Sequence, residues 1–222
     1  MEKKNLIVSE QIRSACPDFV GGALYAEFTN SEYSEELWNE IRVKAGELKM
    51  RQTVDTIKHI SGIEATRRVY KACGKDPSRY RPSNEQLVRR ILQGKELWTG
   101  NTAVDIGNLV SIDYGYSVGC FDYDKIQGND IVLGVGRAGE PYEGIGRGVL
   151  NIEGMPVYRD SAGGIGTPTS DNERTKMSLA TTRMLAVVNG YDGNENKMDE
   201  CLRFMVAAYE KYLGAVCETV KF

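Results

Sequence analysis

Apolar residues along this chain keep two rhythms, an alternating one at both ends and a three-to-four-residue one between. Residues 17–29, PDFVGGALYAEFT, read as a strand whose Gly21-Gly22 pair marks an internal irregularity, expected as a bulge. A mainly helical stretch follows. Ser34 precedes EELWNEIRVKAGELK, with Leu37, Ile41 and Leu48 on one stripe, and GIEATRRVYKACGKD and SNEQLVRRILQG come next, the latter capped by Ser83 and stopped by Gly94. DIGNLVSIDYG, residues 105–115, reads as a short helix with Asp105 as N-cap and Gly115 as its stop. SVGCFDYDKI, NDIVLGVG, GVLNIEG and MPVYRDS are short strand-like runs separated by Gly, Asn or Asp. The chain closes with a strand (MLAVVNG), a helix (NKMDECLRFMVAAYEKYLG) and a last strand (AVCETVKF). Strands and helices alternate too irregularly for a doubly wound sheet. The pattern therefore predicts α+β: a mixed, mostly antiparallel sheet with flanking helices, in one domain over 1–222.

Within that domain, 1–79 supplies the first strand and helical part, 80–190 the core that carries the motifs, and 191–222 the final helix and strand. At 222 residues the chain can bury a proper core without metals or disulfides. Leu6-Ile7-Val8 is too short an apolar run for a signal peptide and no run reaches a membrane span, so a cytoplasmic protein is expected. Five scattered cysteines without a Cys-x-x-Cys pair fit reduced thiols, and a lone His59 leaves the chain short of zinc ligands. No metal and no cofactor is expected. His59, within TVDTIKHISG, reads as an ordinary helical histidine, which directs any catalysis towards carboxylates, hydroxyls and backbone amides.

Three stretches carry chemistry. GVGRAG, residues 134–139, matches the dinucleotide-binding spacing, but Pro141 and the recurring Gly144, Gly146 and Gly148 replace the helix that such a site needs, so hairpin turns are expected. Residues 67–95 hold nine basic residues against Asp76 and Glu85 in a chain of net charge −3. Arg67, Arg68, Lys71, Arg79, Arg81, Arg89 and Arg90, with Tyr70 and Tyr80 interleaved, suit an RNA phosphate backbone, or else a solvated helical face. GTPTSDNERT, residues 166–175, contains a Ser170-to-Glu173 capping box behind Ser161, Gly163 and Gly164. These residues by themselves leave capping and ligand binding equally open.

YRPSNEQLVRRILQGKELWTGNTAVDIGNLVSIDYGYSVGCFDYDKIQGNDIVL resembles the B3/B4 domain of the phenylalanyl-tRNA synthetase β-subunit. Asn101, Val104, Asp105, Asn108, Val110, Gly115, Phe121, Asp122, Asp124, Lys125 and Ile126 fall on that family's pattern, and GGIGTPTSDNERT takes the place of its later glycine-rich stretch. The resemblance covers most of residues 80–188. In the synthetase this domain binds the 3′ end of mischarged tRNA and hydrolyses wrongly attached tyrosine. Gly107, Gly119 and Val188 stand where the family has a threonine, a histidine and a glutamate, so its tyrosine selection does not carry over.

The resemblance implies a free-standing, B3/B4-like, tRNA-binding protein that edits misacylated tRNA in trans and does not itself charge tRNA. The alternative is a non-catalytic module for RNA, an amino acid or a protein partner, and a small-molecule hydrolase outside translation comes third. The implied partners are the aminoacylated 3′ end of tRNA and other translation components, with no DNA and no membrane. Asp171, Glu173 and Asn108 are the implied catalytic residues. Cys120, Phe121, Gly163, Gly164, Thr169, Ser170 and Arg174 would bind substrate, Arg174 by meeting a phosphate near the terminal adenosine. An aminoacyl ester is already activated, so a positioned water and an oxyanion cradle, from Asn108 or from amides around residues 163–166, would suffice.

Overall fold

Two strands are buried along nearly their whole length, because each serves two cores. In the computed structural model, which describes residues 1–97 and 100–222, β2 (Val20–Glu27) sends Ala23 and Tyr25 to one side and Leu24 and Ala26 to the other. The second such strand, β9 (Arg183–Gly190), divides Leu185 and Val187 from Met184, Ala186 and Val188 in the same way. This is the period-two alternation of a sheet covered on both faces. The sheet runs β10-β2-β9-β3, with β3 at Val118–Asp122 and β10 at Val216–Lys221, and every pairing in it is antiparallel.

On one face lies a second four-stranded sheet of order β1-β4-β7-β8: β1 (Asn5–Val8), β4 (Asp130–Val135), β7 (Pro156–Asp160) and β8 (Gly163–Gly166). Only β1 and β4 are parallel there. On the other face pack α2 (Glu35–Arg51), α4 (Ser83–Leu92), α5 (Thr102–Tyr114) and α6 (Glu195–Leu213). Two further helices, α1 (Glu10–Ala15) and α3 (Ser61–Ala72), place Ile12, Ala65 and Val69 in the core between the sheets. A small ribbon, β5 (Glu143–Gly144) with β6 (Gly148–Val149), completes an α+β fold whose strands pair mostly antiparallel. No helix among the described residues is long and apolar enough to cross a membrane.

Several local expectations are corrected. Leu6-Ile7-Val8 is a strand, held in register on β4, and Ser9 caps the helix after it by accepting from Ile12 N–H at 3.4 Å. Gly21 and Gly22 make no bulge, since the pairing of β2 with β9 is unbroken. They are small because a Cβ on Gly21 would lie 2.5 Å from the Phe222 ring and one on Gly22 2.5 Å from Met198 Sδ. α4 starts after Pro82 and takes no side-chain cap from Ser83. α5 starts four residues earlier than its pattern indicated, with Asn101 as N-cap accepting from Val104 N–H at 3.2 Å. Asp105 is instead buried and accepts from Gly100 N–H and from the Trp38 indole. Ser170 and Glu173 form no capping box: Asn172 caps the short turn Glu173–Thr175. His59 ends a one-turn 3-10 helix and is exposed, and 136–142 contains no helix.

Candidate active site

α5 and its N-cap present Asn101, Val104, Gly107 and Asn108 on one face, as spacings of three and four residues require. β3 runs beside it closely enough that a Cβ on Gly107 would meet Cys120 Sγ at 2.9 Å. The third wall is the loop after β8. Thr167 fixes it by accepting from the N–H groups of Thr169 and Ser170 at 3.2 and 3.1 Å and donating its hydroxyl to Ser170 O. Tyr142 Oη donates to the same carbonyl at 2.6 Å, Ile145 N–H donates to Asp171 O, and Ser83 N–H donates to Pro168 O. Between the walls lies a cavity of about 300 Å³, lined among others by Asn108, Cys120, Ser170, Asp171 and Lys176. Segments more than sixty residues apart thus meet around one space.

Asp171 governs its electrostatics. The side chain keeps part of its surface open to the cavity, yet protein surrounds it densely enough that desolvation pushes its carboxyl from 3.8 up to about 7. Cys120 N–H opposes that rise by donating to Oδ2 at 3.0 Å. Oδ1 makes no hydrogen bond among the described residues and faces the places where Gly119 and Gly166 lack side chains. No cation is paired with Asp171 among the described residues. Across the cavity, Asn108 is half-buried and its amide has no partner among the described residues. That amide and a carboxyl raised to about 7 therefore share the cavity. Lys176 stands at the rim with its ammonium group on Glu173.

Other candidates lie elsewhere. Glu173 accepts from Lys176 and from Gly146 N–H, which hold its carboxyl below the usual range, and does not line the cavity. The Arg174 guanidinium grips Asp160 with both arms, at 2.7 and 3.0 Å, and donates to Lys125 O. Phe121 points from β3 into the core between the sheets, opposite to Cys120. Gly163 N–H donates to Asp160, and a Cβ on Gly164 would press on Tyr142. Thr169 is buried, with its hydroxyl between Tyr70 Oη and Tyr80 O. Asn108, Cys120, Ser170 and Asp171 are thus the candidates brought together. Lys176, Thr167 and Ser83 join them; Lys176 lies five residues beyond Asp171, while nothing in its sequence surroundings marks Ser83 for this role.

The basic residues of 67–95 divide. Arg67, Arg81 and Arg89 turn to Glu85, Arg90 donates to Glu96 O, and Arg68, Lys71 and Arg79 are exposed, with Arg79 over the Tyr80 ring. Lys75 is buried and donates to the carbonyls of Asn151 and Glu153, each at 2.8 Å.

Two face-to-face sheets, one carrying a helical layer with a polar cavity at its edge, define the class. The chain belongs to the B3/4 domain family, which it matches over residues 65–200, a range that contains Asn108 and Asp171. A similar solved structure is an N-terminal fragment of the phenylalanyl-tRNA synthetase β-subunit from Pyrococcus horikoshii, with TM-score 0.51 and 15% identity over 100% of this chain and 55% of that one. The chain therefore spans little more than half the length of that neighbour. No curated protein matches it. Of the resembling stretch, Trp98 and Thr99 lie outside the described residues.

Proposed function

We propose that this chain is a tRNA-binding B3/4 module that hydrolyses the ester of a misacylated tRNA in trans. One observation carries the reading: Asp171, its carboxyl pushed up to about 7, lines the same cavity as the Asn108 amide, which has no partner among the described residues. Family membership, with the fold shared with the synthetase β-subunit fragment, supports a tRNA-related substrate.

In this reading the carboxylate of Asp171 takes a proton from water as the water oxygen attacks the ester carbonyl carbon. Asn108 Nδ2–H donates to the oxyanion of the tetrahedral intermediate. The carbon–oxygen bond to the ribose then breaks, and the departing ribose oxygen receives the proton from Asp171. The products are the free amino acid and uncharged tRNA. Cys120 serves through its backbone N–H, which orients the carboxylate. In this mechanism Glu173 and Arg174 take no part, because their partners lie within the protein.

A binding-only role for the same cavity is favoured by one fact, that Asp171 is the only titratable side chain among its described lining residues apart from Cys120 and the rim lysine. Release of amino acid from a panel of mischarged tRNAs separates the two. Hydrolysis by the wild type and its loss in Asp171→Asn, with tRNA binding retained, is the expected result. Binding without release by either protein would leave only the module.

A further inference from the structure

Glu85, in the first turn of α4, is 2% exposed, and three arginines turn to it. Arg67 Nη1 from α3 donates to Oε2 at 2.8 Å, Arg89 Nη2 donates to Oε1 at 3.2 Å, and Arg81 Nε stands 3.8 Å from Oε1. The three arginine side chains are 20, 28 and 45% exposed, in the order Arg67, Arg89, Arg81. The carboxylate is thus a floor, and the guanidinium groups are walls that open to solvent.

Those walls enclose a polar cavity of about 220 Å³. Lys58 adds a further cation, Asp55 is the only other acid lining it among the described residues, and Ser78 Oγ accepts from Arg67 Nη2 while keeping its own proton to donate. Four cations against two carboxylates leave positive charge in surplus inside a concavity, where like charges repel more strongly than on an open surface. A network built only to neutralise Glu85 would need fewer. Arg89 Nε, by contrast, is buried without a hydrogen-bond partner among the described residues and lies out of reach of a ligand in the cavity, so it adds no donor. Fork-shaped guanidinium donors, a hydroxyl and a surplus of about two positive charges are the recognition set for a tetrahedral dianion.

We infer that this cavity binds a phosphate group and, resting on the function proposed above, that the phosphate belongs to the polynucleotide whose 3′ end enters the Asp171 cavity. The two cavities flank the start of α4. Arg81 lines one and Ser83 the other, two residues on, so their Cα atoms lie within about 7 Å.

The test uses Arg81→Gln and Lys58→Gln, whose side chains are open enough for the fold to survive, with Arg13→Gln on α1 as a remote charge control. Calorimetric titration with inorganic phosphate should show binding that each pocket variant weakens at least fivefold and the control leaves unchanged. Affinity for uncharged tRNA should fall by a similar factor, and the slope of log K against log salt should become shallower by about 0.7 for the lost phosphate contact. Equal losses in Arg13→Gln, or wild-type protein that takes up no phosphate, would overturn the site. Phosphate uptake with unchanged tRNA affinity would overturn the polynucleotide as its source and leave a site for a free phosphorylated ligand. Because the phosphate titration involves neither tRNA nor turnover, it stands even where the hydrolytic reading fails.

Discussion

A Cβ added to Gly119 would lie 3.1 Å from Asp171 Oδ1, a tight contact, and 2.8 Å from Phe121 Cζ, closer than a side chain at this position allows. A Cβ on Gly166 would likewise lie 2.5 Å from Phe121 Cζ and 3.1 Å from Oδ1. The carboxylate therefore fills the space beside the position where the resembling family carries a histidine. Phe121 is fully buried and cannot retreat. Gly119→Ala should destabilise the protein by about 1–3 kcal/mol, read from the urea midpoint, and displace Asp171. Under the hydrolytic reading, release of amino acid should drop far more than tRNA binding.

The same carboxylate sets a pH dependence. With its carboxyl at about 7, Asp171 is a base only when ionised, so release of amino acid should climb through about pH 7 and level off above it. Asp171→Asn should lower the plateau by about 10²–10⁴-fold and abolish the climb. Stability moves the other way. A carboxyl raised in the folded state favours folding fully below the unfolded value near 3.8, and that contribution is lost as pH rises through about 7. Asp171→Asn keeps an acceptor for Cys120 N–H and never ionises. Its urea midpoint should match wild type near pH 4 and exceed it at pH 8.

What was legible in the sequence follows what is local. The strands around Leu24 and Val187 and the helices carrying Leu37 and Leu202 show in the apolar rhythm, because burial on one or both faces leaves a periodic trace. β1 escaped because its three apolar residues are too few to show a period, and its partner β4 lies over a hundred residues away. Asp105 resembled an N-cap by type and place, whereas its actual partners, the Trp38 indole and Gly100 N–H, depend on how α2 and α5 meet. In the candidate site, the pairing of Asn108 with Asp171 followed from a family resemblance and not from spacing. The fates of Arg174 on Asp160 and of Arg67 on Glu85 were invisible, since a charge seen in sequence does not reveal which neutralising group folding will bring to it.

Cys120 lines the cavity, but burial pushes its thiol up to about 12, and the nearby Asp171 charge adds to that. Cys201 is raised to about 12 by burial as well. A thiol in that state holds almost no thiolate at neutral pH and is a poor nucleophile. Mass spectrometry after brief iodoacetamide treatment of native protein at pH 8 should find both unmodified, and denatured protein should be alkylated at all five cysteines. Cys120→Ala, which retains the N–H that Asp171 accepts from, should preserve the pH profile of amino-acid release.

Glu85 holds three arginines and is itself almost wholly out of solvent, so its loss should be felt by the fold before any ligand is considered. Removing one partner from a buried charged cluster leaves the others uncompensated, and Glu85→Ala should cost about 3–5 kcal/mol in urea unfolding. Arg67 and Arg89 would then face each other across the vacated carboxylate, and anions should become stabilising ligands. Added inorganic phosphate should therefore raise the melting temperature of Glu85→Ala more than that of wild type, because the anion then supplies charge that the protein no longer does. A variant that melts early and gains nothing from phosphate would mean that these guanidinium groups disperse into solvent once their carboxylate is gone, and that Glu85 alone had kept them together.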